Sequence, residues 1–118
     1  MATVSTHVLN SVDGTHAGGV KIDFFRLDPS GQRTLLVSAA TDSGGRLAQA
    51  IEVPADAGDD QIEMVLHSSA YFANRLPPQV GLRIVREIVI RFAMPNPAGR
   101  YHIPMMLAPN SHSVWWSS

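Results

Sequence analysis

Hydrophobic and polar residues alternate along much of the chain. The run "VKIDFFRL" places Val20, Ile22 and Phe24 on one face and Lys21 and Asp23 on the other. "QIEMVLH" sets Ile62, Met64 and Leu66 against Glu63, Val65 and His67, and "EIVIRF" sets Ile88, Ile90 and Phe92 against Glu87, Val89 and Arg91. Successive side chains of a strand leave opposite faces, so a period of two predicts strands with one face buried and one partly wet. The clusters "VDG", "DPSG", "DSGG", "ADAGDD", "MPNPAG" and "APNS" punctuate these runs with turn-forming residues. The pattern predicts strands near residues 4–10, 20–27, 33–41, 46–53, 61–67, 85–94, 101–108 and 111–117, and hence an all-β sandwich or barrel. One segment departs from it. "HSSAYFANR" offers Ser68 or Ser69 as an N-cap for one or two helical turns, and the following "LPP" stops them. Pro104, in the middle of a strand, has no ladder donor and predicts an edge or an interruption of pairing there.

Composition narrows the possibilities. The 118 residues suffice for one domain with a core but not for two, so residues 1–118 are expected to form a single domain. With 45% hydrophobic and 16% charged residues the chain is expected to fold. A net charge of -1, with nine scattered Lys and Arg, lacks the clustered basic face that phosphate backbones require, so no nucleic-acid partner is expected. The absence of cysteine excludes disulfides and thiolate metal sites. "MATVSTHVLNSVDG" has neither the basic start nor the apolar run of a signal peptide or anchor. No stretch approaches the roughly 20 apolar residues of a bilayer span. The expectation is a soluble, cytoplasmic chain with no membrane partner.

The candidate chemistry rests on histidine and arginine. Histidines stand at 7, 16, 67, 102 and 112. If Val4, Thr6 and Val8 face one way, Ser5, His7 and Leu9 face the other. Likewise Tyr101, Ile103, Met105 and Leu107 oppose His102, Pro104 and Met106. No H-x-x-x-H spacing suggests a metal site, and no G-x-S-x-G elbow suggests a serine hydrolase. His16 sits in a Gly-rich turn and His67 where a strand meets the helix, and neither is expected to be catalytic. Arg46 follows the "DSGG" turn, where its rigid fork of donors suits a planar anion or an oxyanion. Taken singly, each of these side chains also reads as a solvated or hydrogen-bonded surface group. Trp115 and Trp116 alternate across the last strand, so that one packs inward and one meets a subunit, or one walls a pocket.

In combination, "STHVLN" near the start, "GGR" at 44–46, "SAYF" at 69–72, "VIRF" at 89–92 and "YHIPMMLAP" at 101–109 resemble the transthyretin-related 5-hydroxyisourate hydrolases over nearly the whole chain. That resemblance implies a transthyretin-like (prealbumin-like) two-sheet sandwich of about eight strands, with one short helix after the fifth. It implies a homotetramer, a dimer of dimers, with sites in the channel between dimers. It also implies an active site made by His7, Arg46, His102 and the C-terminus, where Trp115, Trp116 and Ser118 would bind substrate, with no metal or cofactor. The chain departs from the family by ending Trp115-Trp116-Ser117-Ser118 instead of Tyr-Arg-Gly-Ser, and by carrying Asn10 where the family has aspartate. An indole only donates a hydrogen bond, whereas a phenol donates and accepts. The implied reaction is metal-free hydrolysis of a C–N bond in a small cyclic amide, foremost 5-hydroxyisourate in urate breakdown. The altered ending favours, as an alternative, a sibling enzyme for another small heterocycle. A non-catalytic small-ligand-binding protein is the third possibility.

Overall fold

The structure, a computed structural model, describes residues 1–53, 60–73, 75 and 82–117. Nine strands and one helix follow in chain order among these residues: β1 (Ala2–Asn10), β2 (Lys21–Leu27), β3 (Arg33–Ala40), β4 (Arg46–Ile51), β5 (Gln61–Leu66), α1 (Ser68–Ala73), β6 (Ile88–Ala93), β7 (Arg100–His102), β8 (Met105–Ala108) and β9 (Ser111–Val114). They form two sheets. One runs β4-β1-β8-β9, with β7 also paired to β1, and the other runs β3-β2-β5-β6. This is the expected transthyretin-like sandwich.

The expected strand over residues 101–108 is two strands. Both pair with β1 in parallel and in one register, Ser5 opposite His102 and Val8 opposite Met105. Pro104 lies in the gap, where its missing N–H interrupts the ladder, and its carbonyl instead accepts a bond from the Trp115 N–H at 3.3 Å. The last strand likewise ends at Val114, short of the tryptophans.

The core lies between the sheets. Val4, Val8, Met105 and Leu107 from one meet Ile22, Phe24, Met64 and Leu66 from the other, all fully buried. Burying each such side chain contributes about 1.5–3 kcal/mol. Phe72 of α1 is fully buried in the same core, and its ring meets Tyr71 edge-on at 5.0 Å. The helix begins at Ser68, but the expected cap is not made by its side chain, because the Ser68 hydroxyl is buried without a hydrogen-bond partner among the described residues. The expected "LPP" stop falls outside the described residues. Thr6 is polar and points inward, and it is satisfied by donating to the Ile103 carbonyl at 2.6 Å.

The alternation fails in β5. Glu63 and Val65, expected on a half-wet face, are buried. β5 lies between β2 and β6, so long neighbours cover its outer face. Arg33 leans across the Phe25 ring, 3.5 Å from its centroid, and approaches Glu63 at 3.6 Å. Arg91 reaches the same carboxylate at 3.3 Å from the other side. A buried carboxylate requires such pairing. The residues before β6 do not join the sheet as expected. Asn110, at the tip of the β8–β9 hairpin, accepts from the Ile84 N–H at 2.7 Å and donates to the Leu82 carbonyl at 2.7 Å. Among the described residues no helix is long and apolar enough to cross a membrane.

Candidate active site

The outer face of the first sheet is defined by register. β1 alternates without a break, so Ser5, His7 and Leu9 leave its outer face while Val4, Thr6 and Val8 enter the core. On one side of β1, Arg46 is the partner of His7 and Ala48 the partner of Ser5. On the other side His102 is the partner of Ser5 and Met106 the partner of Leu9. Beyond them the chain's end continues the row, with Ser113 beside Met106 and Ser117 beside His102. Paired residues share a face, so His7, Arg46 and His102 come together on one surface from three separate segments.

Each is held by its local structure. Arg46 opens β4 after a turn tied by Asp42, whose carboxylate accepts the Gly44 N–H at 2.9 Å and the Arg46 N–H at 3.0 Å. Gly45 has φ +75, and a Cβ there would run into the Val8 carbonyl, so only glycine allows the turn to approach β1. The Val8 N–H donates to the Gly45 carbonyl at 2.8 Å, which locks that approach. The ring of His102 is oriented by Ser5, Oγ to Nδ1 at 2.8 Å, leaving Nε2 for a ligand. Its carbonyl accepts the Ser117 N–H at 2.9 Å, which brings the chain's end alongside.

His7 has a closer neighbour than expected. Its Nε2 lies 3.0 Å from Nδ1 of His16, with ring centroids 5.0 Å apart and planes inclined by 30°. Partial burial first, then the charge of Arg46 and the imidazole of His16, push His7 below the ordinary histidine value. The Gly44 carbonyl opposes this and His102 adds to it weakly. A depressed imidazole is neutral at neutral pH and so able to accept a proton.

The other expected residues are distributed differently. Alternation from Ser117 puts Trp115 on the outer face beside Pro104 and turns Trp116 away. Trp116 lines a largely apolar hollow of about 210 Å³ with Phe92, Pro95, Tyr101 and Ile103 at the edge of the sandwich. Ser118 lies outside the described residues. His67 belongs to the other sheet, where its Nε2 meets Asp23 at 2.8 Å, and His112 stands opposite Leu107, on the face away from Met106. Two residues of the surface were missed by sequence reasoning. Ser5 shared a predicted face with His7 and could have been found from the alternation. His16 could not, because its place depends on a bridge to Leu9 that no periodicity announces. Asn10, the departure from aspartate, is buried beneath this turn and donates to the Tyr71 hydroxyl at 3.3 Å. Among the described residues no three His, Asp or Glu side chains are grouped to hold a metal ion.

Comparison with known proteins agrees with this fold. The family model described as the HIUase/Transthyretin family matches residues 4–116. A 5-hydroxyisourate hydrolase 2 of Rhizobium meliloti (strain 1021) is 31% identical over 118 residues, spanning 98% of this chain and 95% of the relative. The solved structure of Klebsiella pneumoniae 5-hydroxyisourate hydrolase superposes with a TM-score of 0.77 at 26% identity, covering all of both chains. An (S)-allantoin synthase superposes with a TM-score of 0.79 at 26% identity over 99% of this chain, which spans 44% of that longer protein.

Proposed function

The chain belongs to the HIUase/Transthyretin family, and on that premise we propose that it is a hydrolase of 5-hydroxyisourate in urate breakdown. The observation that carries this reading is the meeting of His7, Arg46 and His102 on one face of one sheet. A water attacks a ring carbonyl carbon. One histidine takes its proton, and the resulting tetrahedral oxyanion is stabilised by Arg46, whose guanidinium is always charged. Collapse of the intermediate breaks the C–N bond, and the other histidine donates a proton to the leaving nitrogen. The product is a ring-opened ureidoimidazoline carboxylate. His7, held neutral by its surroundings, suits the base. His102, oriented by Ser5, suits the group that holds or protonates the substrate.

The chain's end favours a second reading, a sibling enzyme for another ring. An indole at Trp115 gives a planar heterocycle a stacking surface but no acceptor. Ser118 belongs to the proposed substrate contacts, whereas Trp116, expected among them, is turned to the hollow on the other side of the chain's end. In a single chain the site face is open, and Met106 and Trp115 on it are 39% and 47% exposed. Apolar exposure of this kind supports a homotetramer in which two such faces cover each other. Variants test the assignment. His7→Ala, Arg46→Ala and His102→Ala each lower kcat/KM on 5-hydroxyisourate by about a hundredfold or more, while His67→Gln stays near wild type. A His67→Gln loss equal to that of His102→Ala would overturn it.

A further inference from the structure

We propose that His16 is a positioning residue of this site, sharing one proton with His7 along the Nε2–Nδ1 line and thereby fixing the tautomer and the tilt of the His7 ring. The inference rests on the reading of His7 as part of the active face. Two imidazole nitrogens at 3.0 Å need one N–H and one lone pair between them. A neutral pair meets that need with a single bridging proton, and so does a pair carrying one charge. Two imidazoliums would set N–H against N–H, so the second charge breaks the contact.

The contact is built into the backbone. Beyond Arg46, where β4 begins, the 15–17 segment takes its place beside β1. The Asn10 N–H donates to the Thr15 carbonyl at 2.8 Å, and the Ala17 N–H donates to the Val8 carbonyl at 2.9 Å. Leu9 and His16 form the bridge between them, so His16 leaves the sheet on the same face as Leu9 and diagonal to His7. The turn before it is tied by Asn10, which accepts the Val12 N–H at 2.9 Å, and by Asp13, which accepts the Thr15 N–H at 2.9 Å. Gly45 lies below, where even a Cβ would stand 3.4 Å from that of His16. The glycine that presents Arg46 thus also leaves room for His16.

Around this pair, β4 contributes the charge of Arg46 and β7 the imidazole of His102. On this face β8 and β9 contribute Met106 and Ser113, and Trp115 follows; none of them titrates. Among the described residues, Arg46, His16 and His102 are the charged or chargeable groups that bear on His7, and all three lower it; the carboxylates of Asp42 and Asp13 are engaged by the backbone N–H groups of their own turns. Partial burial, Arg46 and His16 all press His7 in the same direction.

Two variants separate a shared proton from a mere stacking partner. His16→Phe keeps a flat ring and removes the polar atom. His16→Asn keeps a polar atom near Nδ1 and removes the titration. The readouts are the NMR titration of the His7 ring, with His67 as an internal control, and kcat/KM against pH. His16 lowers the His7 value, so removing its imidazole makes His7 easier to protonate. The His7 midpoint and the acid limb of kcat/KM should therefore move to higher pH in both variants while His67 stays put. His16→Phe should lose about tenfold in plateau kcat and His16→Asn should recover most of it. A His7 midpoint unmoved in both variants overturns the inference even if the chain turns over 5-hydroxyisourate. A midpoint that moves in a chain that does not accelerate that reaction upholds the shared proton and overturns the proposed reaction instead.

Discussion

Replacing Gly45 with alanine probes fold and site together. Gly45 has φ +75, a conformation that costs an L-residue about 1–2 kcal/mol. The new Cβ would overlap the Val8 carbonyl and lie 3.1 Å from the Ala17 nitrogen, so the turn must also move away from β1. That movement strains or breaks the Val8 N–H to Gly45 carbonyl bond of 2.8 Å or the Ala17 N–H to Val8 carbonyl bond of 2.9 Å, at about 1 kcal/mol for either. The sum is roughly 2–3 kcal/mol, and at about 4 °C per kcal/mol it lowers Tm by roughly 8–12 °C. Gly44 is the control. It has no positive φ, and its Cβ would meet only the Asp42 carboxylate at 3.4 Å, so Gly44→Ala should stay within about 0.5 kcal/mol of wild type. The displaced turn carries Arg46, and a misplacement of about 1 Å can cost a hundredfold. Folded Gly45→Ala should therefore lose at least about tenfold in kcat/KM below its melting temperature. Thermal melts by circular dichroism and initial rates at 15–20 °C below each Tm measure both effects. Equal Tm and equal kcat/KM in the two alanine variants would refute the reasoning.

Other expectations concern single contacts. Ser5→Ala removes the 2.8 Å partner of His102; at about 1 kcal/mol it should lower kcat/KM roughly fivefold without changing Tm by more than a few degrees, and an unchanged rate would show that His102 does not need orienting. Burial pushes the Asp23 carboxyl up, but hydrogen bonds from Ser38 and His67 outweigh it and hold it below its ordinary value. Such a group contributes stability above its unfolded value of about 3.9, and the contribution is lost as pH falls through the lower folded value. Asp23→Asn should then flatten the decline of unfolding free energy in urea below about pH 4, and an acid limb identical to wild type would contradict it. Trp115→Tyr combined with Trp116→Arg and Ser117→Gly should raise activity on 5-hydroxyisourate, with most of the gain from Trp115, which shares the face of His102; equal activity and equal affinity for a planar purine analogue would make both tryptophans packing residues. Light scattering at micromolar concentration should report a tetramer, and a monomer would remove the proposed cover of the site face.

The parts of this molecule most legible in its sequence are those that depend on period alone. The alternation along "ATVSTHVLN" assigned the faces of Ser5 and His7 correctly, and that along "YHIPMML" did the same for His102. Pro104 marked the interruption of its strand because a missing donor has the same effect in any context. What escaped depends on neighbours remote in sequence. Glu63 lies on the polar side of its strand, yet Arg33 and Arg91 bury it by folding across from the strands beyond. The run before β6 is claimed by Asn110 instead of the sheet. His16 belongs to a glycine-rich turn by composition, and only the bridge to Leu9 carries it to His7. The tryptophans read as one inward and one outward, but which of them shares a face with His102 follows from the Ser117 bridge to that residue.

The most direct test of the central claim is the ultraviolet decay of freshly prepared 5-hydroxyisourate with and without the purified chain. The compound decays unaided, so the quantity to measure is acceleration over buffer. A hydrolase site at His7, Arg46 and His102 gives a decay rate that rises in proportion to protein concentration and returns to the buffer rate with His102→Ala. A decay no faster than in buffer, from a protein that is folded by circular dichroism, would contradict it.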